Sequence, residues 1–250
     1  TIVNNLITGS GVGGIRFSGE TWTMGQQPGP LPFGRILNNT IVGKNGSGVG
    51  IQVDENASPT LLNNIVTGLA VGISVDASSS TTVVGGMLFK DNAANTVGVG
   101  TGSFPIVLAS NEPLFVDPAS GNYYLAPASR AIDSSVNSLQ DRPQLVAVKS
   151  PLGYGLSPIL APALDVFGQK RVDDPSVETP TGQGANVFKD RGAIDRADFA
   201  GLSAVLLLPR DNDAQGRDGD ARKTYVELKN EVLTSFAIQL ADGVNVDGPQ

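Results

Sequence analysis

Four aspartates form the densest group of potential metal ligands in the chain. Asp211, Asp213, Asp218 and Asp220 lie within ten residues, and glycines occur between them. Clustered carboxylates repel one another unless a cation or solvent lies between them. Ca²⁺ takes about six to eight oxygen ligands, which aspartates on a glycine-containing loop can supply. The spacing therefore predicts a Ca²⁺ site, and Ca²⁺ is the cofactor that the sequence suggests.

The order of residues in this segment excludes an EF-hand. The last position of such a loop carries a bidentate Glu, and here that position is Arg222. The alternative to a Ca²⁺ site is a solvated acidic linker, whose charge Arg217, Arg222 and Lys223 would neutralise. Both interpretations remain open at the level of sequence.

A second set of carboxylates falls within a repeated pattern. Asp54 and Asp76 each follow a Gly-Ile-x-Val unit, and Glu55 is a neighbour of the first. Together with Asp91 they form a candidate acidic row, in which one carboxylate would act as an acid and another as a base or a metal ligand. This row is the basis for an alternative function as a calcium-dependent lyase or hydrolase of acidic polysaccharide. The structural interpretation is that the carboxylates are corner residues facing water.

The composition removes several kinds of chemistry. The 250-residue chain contains no Cys and no His, so it has no disulfide, no thiol nucleophile, no Ser-His-Asp triad and no zinc site of the usual Cys/His type. A formal net charge of −7 disfavours binding to nucleic acid and to anionic membranes. The longest apolar run, residues 202–209, is too short to span a bilayer.

Two short units recur in the first part of the chain. Asn-Asn pairs occur at residues 4–5, 38–39 and 63–64, and the second Asn steps by 34 and then by 25 residues. Gly-Ile-x-Phe/Val units begin at Gly14, Gly50 and Gly72. An insertion rich in Gly, Pro and Gln accounts for the longer first step.

This period predicts an all-β fold, a right-handed parallel β-helix. A repeat of 22 to 25 residues holds three strands of about four to six residues and three turns, and the coils stack about 4.8 Å apart. Asn5, Asn39 and Asn64 are the predicted structural ladder. We expect these corner residues to adopt left-handed backbone geometry while their amides hydrogen-bond along the axis. A row of sugar-binding asparagines is the alternative.

From about residue 111 the repeats stop and a different pattern begins. Residues 112–125 predict a strand, a tight turn and a second strand, and the stretches SRAID (129–133) and DRGAID (190–195) follow. This order resembles the closing segment of the pectate-lyase-like right-handed β-helix proteins of bacterial surfaces, those with a choice-of-anchor domain. The resemblance covers about residues 1–199 and implies coils over 1–110 and a closing segment over 111–199.

Charged residues of this closing segment are predicted to form a structural network, because the guanidinium fork suits carboxylates and turns. The network comprises Arg130, Arg171, Arg191, Asp133, Asp165, Asp190 and Asp195.

Residues 200–250 resemble the opening strands of an immunoglobulin-like β-sandwich. Residues 204–208, 224–228 and 236–240 predict strands, and the last two alternate apolar and polar residues. Two or three strands cannot complete a sandwich of about seven. We therefore expect both ends of the chain to be cut from a longer protein.

The resemblance and the lack of a catalytic motif favour a non-catalytic function. The expected protein is a structural module of a large extracellular or cell-surface protein, a spacer, adhesion or assembly scaffold whose signal and anchor lie outside this fragment. Its expected partners are neighbouring modules of the same chain, other copies of itself, and polysaccharide. A glycan-binding β-helix is a further alternative, which would use an exposed aromatic residue such as Trp22.

Overall fold

Short β-branched runs bounded by Asn and Gly form stacked parallel strands. The computed structural model describes residues 1–20, 32–139, 146–147, 149–155, 158–174, 177, 189–196, 205–208, 237–239 and 245–247. The chain divides into two units, Thr1–Arg196 and Ala197–Gln250. The all-β class predicted from the sequence is confirmed, with helical structure confined to short stretches of the described residues.

In the first unit the chain passes through three parallel sheets in turn and then returns to the first; one such passage is a coil. The coils contain, in chain order, β1 (Ile2–Val3), β2 (Leu6–Ser10), β3 (Gly13–Ser18), β4 (Phe33–Leu37), β5 (Thr40–Gly43), β6 (Val49–Asp54), β7 (Ser58–Leu62), β8 (Ile65–Thr67), β9 (Val71–Val75), β10 (Val83–Gly85), β11 (Leu88–Lys90), β12 (Ala94–Val97) and β13 (Ile106–Leu108). The first sheet has the order β1-β4-β7-β10, the second β2-β5-β8-β11-β13 and the third β3-β6-β9-β12.

Equivalent apolar residues stack on one another from coil to coil. Ile51 and Ile73 are partners in the third sheet, and Ile41, Val66 and Phe89 are partners in the second. All five are buried in one hydrophobic core. Because the pairing is in register, burial of these stacks from water favours the same alignment as the strand hydrogen bonds.

The glycine of each Gly-Ile unit lies where the third sheet approaches side chains of the second. A Cβ built on Gly14 would lie 2.6 Å from Ile41 Cγ2, and one on Gly50 would lie 2.5 Å from Val66 Cγ1. Both distances are far below ordinary van der Waals contact, so a larger residue does not fit there. The repeated Gly-Ile unit is thus explained by packing inside the coils.

The coils are followed by a hairpin that closes the core. β14 (Phe115–Asp117) and β15 (Asn122–Leu125) pair antiparallel around a 3₁₀ turn at Pro118–Ser120, which confirms the strand, turn and strand predicted over 112–125. Leu125 packs with Ile106 of β13 in a second buried cluster. Farther along, β16 (Ser138–Leu139) and β17 (Ile159–Leu160) also pair antiparallel.

The remainder of the first unit runs along one corner of the coils. We call the described residues 131–137, 164–174 and 189–196 the strap. Its backbone bonds to the coils include that from the Gly192 N–H to the Asn63 carbonyl at 2.8 Å. Short 3₁₀ turns occur elsewhere at Ala77–Ser79 and Ser150–Leu152.

The second unit contains one described antiparallel sheet. Its strands are β18 (Val205–Leu208), β19 (Ala237–Gln239) and β20 (Asn245–Asp247), in that order. The strands predicted over 204–208 and 236–240 are therefore confirmed, and the strand predicted over 224–228 lies outside the described residues.

Candidate functional site

The three asparagines predicted as a ladder occupy equivalent positions in consecutive coils. Asn5 Nδ2 donates to Asn39 Oδ1 at 2.8 Å, and Asn39 Nδ2 donates to Asn64 Oδ1 at 2.8 Å. Asn64 Nδ2 donates in turn to the Ile36 carbonyl at 2.8 Å and lies 3.6 Å from Met87 Sδ. The amides thus form a line of hydrogen bonds across three coils, and Met87 follows them in the fourth.

Left-handed backbone geometry belongs to the first member of each Asn-Asn pair. Asn4, Asn38 and Asn63 have φ values of 53°, 47° and 56°, and Gly86 has 59° in the fourth coil. None of the three ladder residues has a positive φ, so the expectation that they adopt this geometry is wrong. The preceding residue makes the bend, which leaves the ladder residue free to stack its amide on the next coil.

The first asparagines of the pairs bind the strap. Asn4 Nδ2 donates to a strap carbonyl at 2.7 Å, and Asn38 Nδ2 donates to the Asp190 carbonyl at 3.0 Å. Asn63 Nδ2 donates to the Val136 carbonyl and its Oδ1 accepts from the Val136 N–H, both at 2.8 Å. Sequence analysis missed this role, although the first Asn recurs as regularly as the second.

Arg191 connects the strap to the fourth coil and to the segment that follows it. Its side chain is fully buried. Nη1 donates to the carbonyls of Met87 and Phe104 at 2.8 and 2.9 Å, and Nε donates to the Ser134 carbonyl at 2.9 Å. Burial lowers the pKa of Arg191 to about 9, which leaves the guanidinium charged at neutral pH. One side chain therefore joins three separate segments of the chain.

Arg171 makes a similar connection to the first coil. Its Nη2 donates to the Gly192 carbonyl at 2.8 Å and to Asn4 Oδ1 at 3.1 Å. Its Nη1 lies 3.8 Å from Asp195 Oδ1, and both side chains are buried. Since desolvation offsets much of the attraction in a buried ion pair, this contact serves mainly to define the position of the strap.

Two further ion pairs differ from the predicted network. Arg196 Nη1 lies 3.2 Å from Asp174 Oδ2 in a buried pair that sequence analysis did not include. Arg130, which was predicted to join the network, is exposed and pairs with Glu112 at 3.3 Å. The difference arises because Arg130 lies on the solvent side of its turn, while the next residue, Ala131, is buried.

The strap gathers buried carboxylates from distant parts of the sequence. Asp133 accepts from the Asp174 N–H at 3.2 Å, and the Asp133 N–H donates to Asp190 Oδ1 at 2.8 Å. Burial, together with neighbouring negative charges, raises the pKa of Asp133 to about 7 and raises that of Asp190 well above its ordinary value. Across the described residues, acidic side chains form no group of three or more that could hold a metal ion.

Asp54 and Asp76 occupy equivalent positions in the third sheet, where Asp54 ends β6 and Asp76 follows β9. Asp54 Oδ2 accepts from Arg16 Nε at 2.9 Å and from Gln52 Nε2 at 2.7 Å. Asp76 Oδ1 accepts from the Ser79 N–H at 2.8 Å and caps the turn that follows. Burial acts to raise the pKa of both carboxyls, but these hydrogen bonds outweigh it, and both pKa values lie below the ordinary one.

Asp91 lies apart from these two residues. It follows β11 in the second sheet, and its carboxylate accepts from Ser110 Oγ. Ends of strands in different sheets fall at different corners of a three-sheet coil. Asp91 therefore does not extend the row that Asp54 and Asp76 begin.

The predicted Ca²⁺ ligands Asp211, Asp213, Asp218 and Asp220 lie outside the described residues, as does Trp22. In the part of the chain that is described, no helix has the length and apolar character needed to cross a membrane.

Comparisons of the chain with protein-family models, with curated proteins and with solved structures each found no match.

Proposed function

We propose that this chain is a non-catalytic structural module of a large extracellular or cell-surface protein. Residues 1–110 would be the coils of a right-handed parallel β-helix of the pectate-lyase-like type, and residues 111–199 its closing segment. The path of the chain through three parallel sheets supports this assignment. Residues 200–250 would open an immunoglobulin-like β-sandwich, which the antiparallel strands β18, β19 and β20 support.

The main support for the proposal is that polar side chains at the corners form hydrogen bonds within the protein. The ladder amides bond from coil to coil, and Asn4, Asn38 and Asn63 bond to the strap. The carboxylates of Asp54 and Asp76 likewise accept from neighbouring side chains and turns. Such bonds oppose sliding and bending of the coils, which suits a spacer or an assembly surface.

The partners of such a module would be its neighbouring modules, other copies of the chain, and polysaccharide. Ca²⁺ bound by Asp211, Asp213, Asp218 and Asp220 would stiffen the junction between modules. An adhesion or scaffold function fits this arrangement, because the module would transmit force along its length.

Single-molecule stretching of the full chain from its two ends tests the scaffold function. We expect the first unit to unfold at high force and in coil-sized steps. Asn39→Ala removes the middle of the ladder and should lower that force, whereas Asn111→Ala, at an exposed turn position, should leave it unchanged. Unfolding of the unaltered chain at low force, or equal forces for both variants, would contradict the proposal.

One observation favours the alternative of a lyase, a glycoside hydrolase or a glycan-binding site. Arg16 lies 2.9 Å from Asp54 and 3.5 Å from Glu55, so one guanidinium and two carboxylates lie together at the end of β6. Incubation with a panel of acidic polysaccharides, with and without Ca²⁺, distinguishes the two functions. New chain ends that disappear with Asp54→Asn would establish an enzyme, and retention on immobilised glycan without cleavage would establish a binding module.

A further inference from the structure

The strap places an excess of acidic groups in a buried position. Among the described residues of the strap, the buried aspartates are Asp133, Asp165, Asp174, Asp190 and Asp195, and the buried arginines are Arg171, Arg191 and Arg196. The coil corner that faces them contributes uncharged side chains, Asn38 among them. The titratable and charged groups of the strap and its borders are Arg130 and Asp133 in the first segment, Asp165, Lys170, Arg171, Asp173 and Asp174 in the second, and Lys189, Asp190, Arg191, Asp195 and Arg196 in the third.

Hydrogen bonds between the acids lock the three segments of the strap to one another. The Asp133 carboxylate accepts from the Asp174 N–H with both oxygens, at 3.2 and 3.4 Å. Asp190 Oδ1 accepts from the Asp133 N–H at 2.8 Å, and Asp165 Oδ2 accepts from the Asp195 N–H at 3.3 Å. Each segment therefore depends on a carboxyl group of another segment.

The bonds to the coils run through the same residues. The Asp190 carbonyl accepts from Asn38 and from Arg171 Nη1, at 3.0 and 3.2 Å. The next residue, Arg191, donates from Nη1 to the Met87 carbonyl of the fourth coil at 2.8 Å. Displacement of the third segment by repulsion among the acids would therefore also break contacts between the strap and the coils.

We propose that the strap is a pH-sensitive latch: protons held among Asp133, Asp190 and their acidic neighbours keep it bound to the coils, and their loss at higher pH loosens it. An opened latch would expose the row of asparagines on the coil corners, beginning with Asn38.

The direction of the effect follows from proton linkage. Burial and the charges of Asp173, Asp174 and Asp195 raise the pKa of Asp133 from 3.8 to about 7. Because the closed latch binds this proton more tightly than an unfolded chain does, the stabilisation is complete below about pH 4 and is lost as the pH rises to about 7. The raised pKa of Asp190, which burial and the charge of Asp195 cause, acts in the same direction.

Hydrogen exchange of the full chain between about pH 5 and about pH 8 tests the latch, with each rate divided by the intrinsic rate at that pH. A single titrating carboxyl changes an opening equilibrium by up to about tenfold per pH unit. We expect peptides from 131–137 and 189–196 to lose about tenfold or more in protection across this range. Peptides from β6 and β9 are the internal reference and should lose much less.

Asp133→Asn imitates the protonated side chain and should keep the strap protected at the higher pH, while Asp117→Asn, at an exposed carboxylate, should behave like the unaltered chain. Protection of the strap in the unaltered chain that stays constant or increases with pH would overturn the proposal, whatever the variant does. A strap in Asp133→Asn that loosens with pH as steeply as the unaltered chain would also overturn it.

Discussion

Asn38 and Asp190 are 152 residues apart in the chain, and the side-chain amide of Asn38 donates to the Asp190 carbonyl at 3.0 Å. Asn38 makes the left-handed bend at a corner of the second coil, and Asp190 belongs to the last described segment of the strap. The contact shows that the corners of the coils are completed by residues from much later in the sequence. The stability of the coils and that of the strap should therefore be coupled.

Asn38→Ala should destabilise the first unit by about 2 to 4 kcal/mol, because it removes a buried hydrogen bond and places Ala in a left-handed conformation. Asn38→Gly loses the same hydrogen bond without the backbone strain, and should cost about 1 kcal/mol less. Denaturant unfolding of both variants measures the difference. Equal stability of the two would show that backbone strain at this corner contributes nothing.

Arg191→Met should destabilise the first unit by about 3 kcal/mol or more, since several buried carbonyl oxygens lose their donor at once. The matched control is Arg130→Met, at an exposed guanidinium paired with Glu112, for which we expect at most about 1 kcal/mol. Thermal and denaturant unfolding give both values. Similar losses for the two variants would mean that burial of Arg191 has no special importance.

Gly50→Ala should destabilise the coils by about 1 to 3 kcal/mol, because the added methyl group overlaps Val66 and the neighbouring backbone. Gly100→Ala is the control, since a Cβ there meets nothing within 4 Å. A combined Gly50→Ala/Val66→Ala variant should recover part of the loss in denaturant unfolding. Failure of the smaller partner to relieve the loss would argue against overlap as its cause.

The pKa of Asp54 lies below its ordinary value because hydrogen bonds, with that from Arg16 foremost, outweigh the effect of burial. A lowered carboxyl pKa contributes stability that is present above about pH 4 and is lost as the pH falls below it. The unaltered chain should therefore lose stability in acid, and Asp54→Asn should lose less over the same range. Melting temperatures between about pH 2 and about pH 4, below the range in which Asp133 titrates, measure both, and Asp91→Asn is the reference substitution. An acid slope unchanged by Asp54→Asn would contradict the prediction.

Ca²⁺ titration by calorimetry tests the acidic cluster near the end of the chain. Saturable binding should disappear with Asp211→Ala/Asp213→Ala and should raise the melting temperature of the unaltered chain through mass action. Binding that survives those substitutions but falls with Asp54→Ala/Asp76→Ala would place the ion on the coils. The absence of any heat would identify residues 211–220 as an acidic linker.

The sequence alone was sufficient to predict the all-β class and the repeating strands of the first unit. Its signals were local: β-branched runs of strand length, Asn at the corners, and the Gly-Ile unit near the start of β3, β6 and β9. These features depend on neighbouring residues in one coil, so they recur visibly with the period of the coil. For the same reason the ladder positions Asn5, Asn39 and Asn64 could be picked out from their spacing.

Only the tertiary structure decided which asparagine of each pair bonds to the next coil and which bonds to the strap. The first and second members of each pair are chemically identical, and the backbone at the corner directs one to the strap and the other to the next coil. The partners of the first asparagines, Leu164, Asp190 and Val136, come from the strap, which has no repeat, so no spacing in the sequence reveals the contacts. Asp91 shows the same limit, because its place on a different corner follows from the three-sheet path of the chain. Burial, which raises the pKa of Asp133, likewise arises only when distant segments meet and exclude water.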